Sequence, residues 1–443
     1  MIAEQQQFNE MLQDIATSLD ISPSNYKLAI DHYKAVKKHL ERGLYPRPEI
    51  YCQGSFRLGT VVRPFKEDKE AEYDIDLVCQ IPIAKESTTA KKLKQVVGDK
   101  LKEDASYDNM LDEEGRRCWT LEYAKDKDGI GFHMDVLPSI PMSDSGRLIL
   151  KGRLPNAEYY KHAIEITDLD KKNQVYSWPD GGSNPEGFAQ WFDDVKKIRT
   201  PNYMELSLKQ KLAIFENTLD PKGQRIFEKI DELEPLVRTP LQQAIQILKR
   251  HRDICFKNNS DNKPISMIIT TLCARFYEKE PDVFTALINI IQKISDFAQY
   301  IGPGFKFSEN VRESQNMINS LQSYNPIIDK PIYKLNGKWW IPNPVNPAEN
   351  FAERWDYEKA KAFFEWLGKL ELSFDLALQQ KGLDKVANIL RPIFNDRVVT
   401  NAFIKTAERK RTGLNNKTIK TTILTGILST EGNTKNIKHT FHC

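Results

Sequence analysis

The stretch that decides the fold reads QGSFRLGT at residues 53–60 and YDIDLV at residues 73–78. A Gly-Ser turn follows a short apolar run, and two carboxylates occupy alternate positions of the next apolar run. Because side chains alternate between the faces of a strand, Asp74 and Asp76 point to the same face and Ile75 points to the other. Paired carboxylates can hold divalent cations, and a Gly-Ser turn beside them can hold the phosphates that such cations bridge. The pattern therefore predicts phosphoryl-transfer chemistry.

A third carboxylate should come from a neighbouring strand, and Asp135 in the run GFHMDVL (131–137) is the best candidate. A lone carboxylate among apolar residues is costly unless it is paired or bound to a metal. Taken alone, Asp135 would rather be expected to pair with a nearby arginine and to take no part in chemistry. Beside the Asp-x-Asp pair, we expect Asp74, Asp76 and Asp135 to hold two Mg²⁺ ions, with Mn²⁺ as a substitute.

The turn itself is expected to bind phosphates. Gly54 gives the backbone room to approach phosphate oxygens, and Ser55 supplies a hydroxyl and an N–H group to the β- and γ-phosphates. Gln53 precedes them and completes the expected nucleotide-binding turn. His133 lies two residues before the third carboxylate on the same face; it could lie near the site, but a structural or surface histidine is expected.

Bulk composition is that of an ordinary globular protein, with 40% apolar and 28% charged residues among 443. This length predicts two or three domains of roughly 100–200 residues each. No apolar run approaches the roughly 18 residues that a membrane helix needs, and the N-terminus shows no signal-peptide pattern. The six cysteines show no Cys-x-x-Cys spacing, so reduced thiols are expected. We expect a cytoplasmic protein without membrane contact.

Charge is distributed unevenly along the chain. Residues 401–443 hold eight Lys/Arg and two Glu, a net charge of +6, which leaves −3 on residues 1–400 from the total of +3. A protein that grips long nucleic acid usually carries a basic face on its folded part. The balance gives no strong sign of such a partner.

The order of elements predicts an α+β protein with a mixed sheet, an α-helical lobe and a central cleft. The expected domains are a catalytic core with N-terminal helices (1–184), a helical lobe (185–400) and a flexible basic tail (401–443). In the core, helices are expected at 8–19, 25–42 and 90–102, strands at 50–53, 73–81, 117–123 and 131–137, and a charged loop at 61–71. In the lobe, helices are expected at 185–198, 206–218, 225–233, 240–256, 264–278, 281–298, 309–321 and 357–379.

Proline positions sharpen some of these boundaries. Pro138 and Pro141 are expected to close the strand at 131–137. Pro240, Pro264 and Pro281 each suit a first helical turn, where a missing N–H does no harm. The segment WWIPNP (339–344) is expected to be a rigid loop.

The carboxylates and the turn together resemble the polymerase-β-type nucleotidyltransferases, whose signature is Gly-Ser, then Asp-x-Asp, then a third Asp on a later strand. The form of the turn, with Gln53 before it and Thr60 after it, is similar to the bacterial cGAS/DncV-like nucleotidyltransferases. Two further stretches carry the same likeness, SNPEGFAQWF (183–192) and PNPVNPAENFAERW (342–355). The resemblance spans residues from about 25 to 395.

The resemblance implies a cyclic oligonucleotide synthase that joins two or three nucleoside triphosphates, ATP among them, into a second messenger of anti-phage signalling. It also implies that Lys249, in AIQILKRHR (244–252), meets the donor triphosphate together with Ser266. An ordinary solvated lysine and a helix N-cap serine are the alternatives. Met267 stands where the animal relatives have a base-stacking tyrosine, so Tyr176 or Trp178 could supply a base platform or pack in the core.

The tail suggests a partner, because some members of this group have their C-terminus joined to other proteins. Thr440 to Cys443 would be accessible to a ubiquitin-like ligase or to a peptide-binding regulator. A terminus without function is the alternative.

Other enzyme classes share the three carboxylates. An oligoadenylate synthase-like enzyme or a terminal RNA nucleotidyltransferase would make linear products, whereas the near-neutral folded part favours a small-molecule product. A non-catalytic nucleotide-binding module would be expected to have lost one of the carboxylates, and all three are present.

Overall fold

The apolar runs on either side of the Gly-Ser turn form neighbouring strands of one sheet. The computed structural model of the chain describes residues 3–21, 23–63, 65–66, 69–70, 72–123, 131–154, 158–197, 238–302, 305, 330–409 and 411. The helices expected at 206–218, 225–233 and 309–321, and the tail beyond residue 411, lie outside the described residues. Among the described helices, none is both long enough and apolar enough to cross a bilayer.

The described helices alternate with short strands in the first half and dominate the second half. The helices are α1 (Ala3–Leu19), α2 (Pro23–Gly43), α3 (Gly54–Leu58), α4 (Ala90–Lys102), α5 (Ala105–Met110), α6 (Asp144–Arg153), α7 (Pro185–Lys196), α8 (Pro240–Cys255), α9 (Ser266–Phe276), α10 (Val283–Ser295), α11 (Tyr357–Leu378), α12 (Leu383–Phe394) and α13 (396–409). Short 3₁₀ turns lie at Lys85–Ser87, Glu158–His162, Ser260–Asn262 and Ala298–Ile301.

The strands form one mixed sheet and several two-stranded hairpins. They are β1 (Glu49–Gln53), β2 (Phe65–Lys66), β3 (Lys69–Glu70), β4 (Tyr73–Gln80), β5 (Trp119–Tyr123), β6 (Phe132–Pro141), β7 (Ile164–Ile166), β8 (Asp168–Asp170), β9 (Val175–Ser177), β10 (Tyr333–Leu335), β11 (Lys338–Trp340), β12 (Pro342–Asn343) and β13 (Asn346–Asn350). The main sheet runs β1-β4-β6-β5, and β7 also pairs with β6. Only the β4–β6 pair is parallel within this sheet. The expected α+β class is confirmed.

Among the described residues, the two largest hydrophobic cores support two lobes. One core lies under the sheet, where Ile75 and Leu77 of β4 are fully buried against α2 and α4. The other core joins α8 to α12 in the helical lobe. Helix α1 belongs to this second core, since Phe8 makes edge-on ring contacts with Phe284 and Phe374 at 5.5 and 5.4 Å. The expected grouping of all of residues 1–184 with the sheet therefore does not describe how α1 packs.

One face of α8 holds the lobes together. Gln242 Nε2 donates to Leu58 O at 2.9 Å, and Gln246 Nε2 donates to Val61 O at 2.8 Å. About one turn beyond Gln246, Lys249 and Arg250 also donate to backbone carbonyls, at residues 60 and 63. These side chains are buried, so each bond replaces water at a carbonyl that would otherwise lack a partner.

Three expectations about proline were wrong. Strand β6 continues through Pro138 to Pro141. Its pairing shows why this is tolerated: on one edge β6 pairs with β5 up to Val136, and from Ser139 onward it pairs with β7. Pro138 therefore lies between the part of β6 that pairs with β5 and the part that pairs with β7. On this edge of β6, no N–H donor is needed at residue 138. Pro240 begins α8 as expected, but the caps at Ile265 and Asp282 place the other two prolines before their helices.

Some expected loops are strands or helices. Within the expected charged loop, 65–66 pairs with 69–70 as a small hairpin. The expected aromatic-proline loop contributes β11 and β12, because the side chain of Asn350 bonds Ile341 N and Trp339 O and holds the segment extended. Helix α12 was missed.

Residues 401–409, expected to belong to a flexible tail, are helical. Thr406 Oγ1 donates to Asp14 Oδ2 at 2.6 Å, and Arg409 pairs with the same carboxylate. Thr406 is fully buried and Asp14 nearly so. The end of α13 is therefore fixed to α1 by a buried, charge-assisted contact.

We expect Thr406→Val to lower the free energy of unfolding by about 1–3 kcal/mol, because it leaves a buried carboxylate short of one donor. Chemical denaturation monitored by circular dichroism measures this change. Ser373→Ala is the control, since its hydroxyl bonds only Lys369 O in its own helix; its effect should stay within about 0.5 kcal/mol. Equal stabilities of Thr406→Val and the native chain would contradict a structural role for α13.

Candidate active site

The Gly-Ser turn lies directly against the carboxylate strand. Gln53 ends β1 and is the register partner of Asp76 on β4. Gly54 then begins α3 with a φ of +64°, and a Cβ at this position would overlap Asp76 Oδ2. Glycine is required here both for its left-handed backbone and for its missing side chain. The turn and the carboxylate are thus in van der Waals contact.

The three candidate carboxylates lie on adjacent parallel strands. Asp74 and Asp76 share one face of β4, and Asp76 is the register partner of Asp135 on β6. Burial raises the pKa of Asp76 to about 7, and the charges of Asp135 and Asp74 add to the effect. Concentrated negative charge of this kind favours a bound cation.

Asp135 is oriented by a residue that sequence reasoning missed. Thr120 Oγ1 on β5 donates to Asp135 Oδ1 at 2.6 Å, and the two residues are register partners. Both residues lie on predicted strands, at 117–123 and 131–137, but only the register between the strands places the hydroxyl opposite the carboxylate. Asp135 is not paired with arginine: among the described residues, no ion pair to it is found within 4 Å.

His133 lies in the cleft, although it was expected to be a structural or surface residue. Its Nε2 is 2.9 Å from Glu72 Oε2, and its Nδ1 is 3.6 Å from Asp74 Oδ1. Alternation along β6 puts it on the same face as Asp135. It therefore borders the outermost carboxylate and bridges it to Glu72.

Lys249 brings a cation from the helical lobe to the turn. Its Nζ donates to Thr60 O at 3.0 Å and to Thr60 Oγ1 at 3.2 Å. It is 4% exposed, which excludes the alternative of a solvated helix lysine. Burial, together with the nearby Arg252 guanidinium, lowers the pKa of Lys249 to about 7. The charge of Asp76 acts in the opposite direction, since a carboxylate favours the ammonium form.

Ser266 is part of a polar network at the start of α9. The cap of this helix is Ile265, and Ser266 Oγ instead accepts from Arg252 Nη1 at 2.9 Å. Arg252 also bonds Asp253 Oδ1, which Lys263 approaches at 2.8 Å. The N-cap interpretation of Ser266 is therefore wrong. Sequence reasoning also missed Arg252, whose i+3 spacing from Lys249 was the available signal.

These groups line one cavity of about 880 Å³ between the lobes. Its walls include all the predicted site residues: Gln53, Gly54, Ser55, Asp74, Asp76, Asp135, Lys249 and Ser266. Met267 also lines it, together with the β12–β13 hairpin and the start of α7. Of the two expected base platforms, Tyr176 bonds Glu114 and Trp178 lies under Lys85, and neither borders this cavity.

The donor set fits divalent magnesium or manganese, which prefer carboxylate oxygens. As the side chains stand, no three acidic, histidine or cysteine groups in the described part of the chain converge on one metal position. Asp135 is held by Thr120, and Asp74 is turned toward His133. Burial and the charges of the other two carboxylates raise the pKa of Asp76 despite the opposing charge of Lys249, so a cation beside Asp76 would favour its ionised form.

Comparison with known proteins agrees with this geometry. Residues 48–138 match the family model of the DncV-like cyclic GMP-AMP synthase nucleotidyltransferase domain. The chain is 26% identical over 420 residues to a c-di-GMP synthase of Roseivirga ehrenbergii, covering 93% of this chain and 89% of that protein. It is 22% identical over 402 residues to the cyclic dinucleotide synthase CdnG of Bradyrhizobium diazoefficiens, covering 88% and 81% respectively.

Solved structures share the fold. The structure of Bradyrhizobium diazoefficiens CdnG in complex with GTP superposes with a TM-score of 0.59 at 18% identity, covering 90% of this chain and 99% of that one. Escherichia coli MS115-1 CdnC with ATP gives 0.52 at 14% identity, covering 87% and 97%. Residues 48–138 match a DncV-like nucleotidyltransferase domain, and the similarity of the chain to cyclic dinucleotide synthases over most of its length confirms the resemblance that its motifs predicted.

Proposed function

We propose that this chain joins nucleoside triphosphates, ATP among them, into a cyclic di- or trinucleotide and releases pyrophosphate. The observation that carries the proposal is the contact of Gly54 with Asp76, which joins a phosphate-binding turn to a carboxylate in one cleft. The relatives named as a c-di-GMP synthase and as CdnG support a cyclic product.

The start of α3 provides the binding surface for a triphosphate. The side chain of Gln53 does not cap this helix, so the first backbone N–H groups remain available to an anion. Ser55 adds a hydroxyl donor beside them. A triphosphate held here would lie next to Asp76, because Gly54 separates the two only by its missing side chain.

Positive charge on the opposite wall would neutralise the phosphates. Lys249 is already desolvated, so its ammonium interacts more strongly with a phosphate than a solvated lysine would. A bound polyanion raises the pKa of Lys249 and thereby favours its charged form. Arg252, which is paired with Asp253, holds Ser266 at the cleft wall.

Asp74, Asp76 and Asp135 would hold the cations. The chemistry that cations held there would supply is activation of the acceptor hydroxyl and neutralisation of the leaving pyrophosphate. Thr120 would orient Asp135 toward the cation by donating a hydrogen bond to its Oδ1. His133 would similarly set the orientation of Asp74, the most exposed of the three carboxylates.

Incubation with all four nucleoside triphosphates and Mg²⁺ or Mn²⁺, followed by phosphatase and mass spectrometry, should reveal a phosphatase-resistant ring. We expect Thr120→Val to reduce the rate of ring formation by about 10–100-fold, because Thr120 supports a metal ligand. Asp76→Asn should reduce this rate further, because it changes a metal ligand itself. Asp99→Asn, on the exposed face of α4, should have no effect. A ladder of linear products would contradict cyclisation, and retained activity in Asp76→Asn would contradict the metal assignment.

Stability should depend on pH through Asp76. Its pKa is about 7 in the fold, against 3.8 for an unperturbed aspartate. The folded state therefore binds more protons between these values, and stability falls as pH rises from about 4 to about 7. In EDTA, Asp76→Asn should unfold at a higher temperature than the native chain at pH 8, with the difference vanishing toward pH 4.

Scanning calorimetry across this pH range measures the difference, and Asp99→Asn again serves as the surface control. Adding Mg²⁺ or Mn²⁺ at pH 8 should raise the unfolding temperature of the native chain and leave that of Asp76→Asn unchanged. A difference between the two proteins that is constant with pH would contradict the buried titration of Asp76.

A further inference from the structure

One carboxylate in the cleft has no role in cation or phosphate binding. Glu349 lies on β13 and borders the same cavity as the aspartates. Within the described residues it forms no ion pair, whereas Glu72 contacts His133 and Asp253 contacts Arg252 and Lys263. Burial by the surrounding walls raises its pKa, although its surface is open to the cleft. Because its surface is open to the cleft and no described residue forms an ion pair with it, a ligand in the cleft can reach this carboxylate.

The hairpin that carries Glu349 is held rigidly. Asn343 Nδ2 donates to Glu349 Oε2 at 2.7 Å, and Asn343 Oδ1 accepts from Val345 N at 2.9 Å. The side-chain amide of Asn350 accepts from Ile341 N and donates to Trp339 O. Asn346 Nδ2 bonds Gly181 O, which ties the hairpin to the segment before α7. The carboxylate is thus presented in a fixed orientation, as base recognition requires.

The remaining acceptor positions of Glu349 face an incoming ligand. Oε2 accepts one bond from Asn343, and Oε1 accepts none from the described residues. An ionised carboxylate accepts hydrogen bonds and donates none. It repels phosphate groups, so the part of a nucleotide that it can bind is the base or the ribose.

Guanine matches this acceptor best. Its Watson–Crick edge presents two adjacent donors, N1–H and the N2 amino group, to the two oxygens of a carboxylate. Adenine and cytosine place an amino group beside a bare ring nitrogen, which repels the second oxygen, and uracil offers a single N–H between two carbonyls. Phe351 lines the same wall and offers an aromatic surface for the base.

We propose that Glu349 selects guanine by accepting hydrogen bonds from its N1–H and N2 amino groups. This assignment rests on the proposed nucleotide-joining function and adds the base that one binding position reads. Asn343 acts as the positioning residue, because it holds one oxygen of the carboxylate in place.

The test compares the native chain with Glu349→Gln, which keeps the shape and replaces an acceptor oxygen with a donor amide. Glu353→Gln is the matched control, since this nearby exposed glutamate does not border the cavity. Binding of GTP, ITP, ATP, CTP and UTP is measured by calorimetry with Ca²⁺ as the divalent ion. Product base composition is measured in parallel from equimolar nucleoside triphosphates with Mg²⁺.

We expect Glu349→Gln to weaken GTP binding by about tenfold or more, the effect of hydrogen bonds to a charged group. ITP lacks the N2 amino group and should bind the native chain more weakly than GTP. This difference should shrink in the variant, while ATP, CTP and UTP bind as before. Guanine in the products should fall correspondingly, and Glu353→Gln should behave as the native chain.

Other results would overturn the assignment. An equal loss for all five nucleotides would place Glu349 on the ribose, and an unchanged preference in a folded variant would remove it from recognition. The binding measurement separates this proposal from the function. Suppose that the native chain makes no cyclic product, but prefers GTP in the binding measurement, and that Glu349→Gln lacks this preference. The proposed nucleotide-joining function then fails, and the guanine assignment stands.

Discussion

The donor face of α8 is the constraint on which the cleft depends. Gln242, Gln246, Lys249 and Arg250 donate to carbonyls of the segment 58–63, which follows directly after α3. This face fixes the helical lobe against the turn that carries Gly54 and Ser55. Without it, the cation of Lys249 would have no set distance from the carboxylates. The bonds are buried, so loss of one partner would leave an unsatisfied carbonyl in the interface.

Burial accounts for the unusual ionisation of the cleft. Asp76 and Lys249 both titrate near pH 7, one raised and one lowered by burial. Burying a carboxylate and an amine whose pKa values are shifted toward neutrality does not stabilise the fold in the absence of a ligand. Functional sites commonly contain groups with such shifted pKa values. A cation beside Asp76 and a phosphate beside Lys249 would restore the charged form of each. Glu349 would then contribute recognition on a separate wall.

Much of the sheet and the candidate site followed from local pattern. Alternation along β4 was enough to place Asp74 and Asp76 on one face, and the family motif identified Lys249. Contacts that depend on strand register or on long-range packing could not be predicted from the sequence. Thr120 becomes a partner of Asp135 only through the β5–β6 register. Helix α1 was predicted from its period, but its period does not reveal that it packs with the helical lobe. Pro138 was wrongly expected to end β6, because the effect of a proline in a strand depends on which strands pair with it at that point.

Anomalous scattering from crystals grown with Mn²⁺ and a non-hydrolysable nucleoside triphosphate tests the central claim most directly. We expect two Mn²⁺ peaks about 3.5–4 Å apart, coordinated by Asp74, Asp76 and Asp135, with the triphosphate against Gly54 and Ser55. The same experiment with Asp76→Asn should show neither peak at full occupancy. Manganese bound away from Asp76, or a triphosphate that does not contact the turn, would contradict the account.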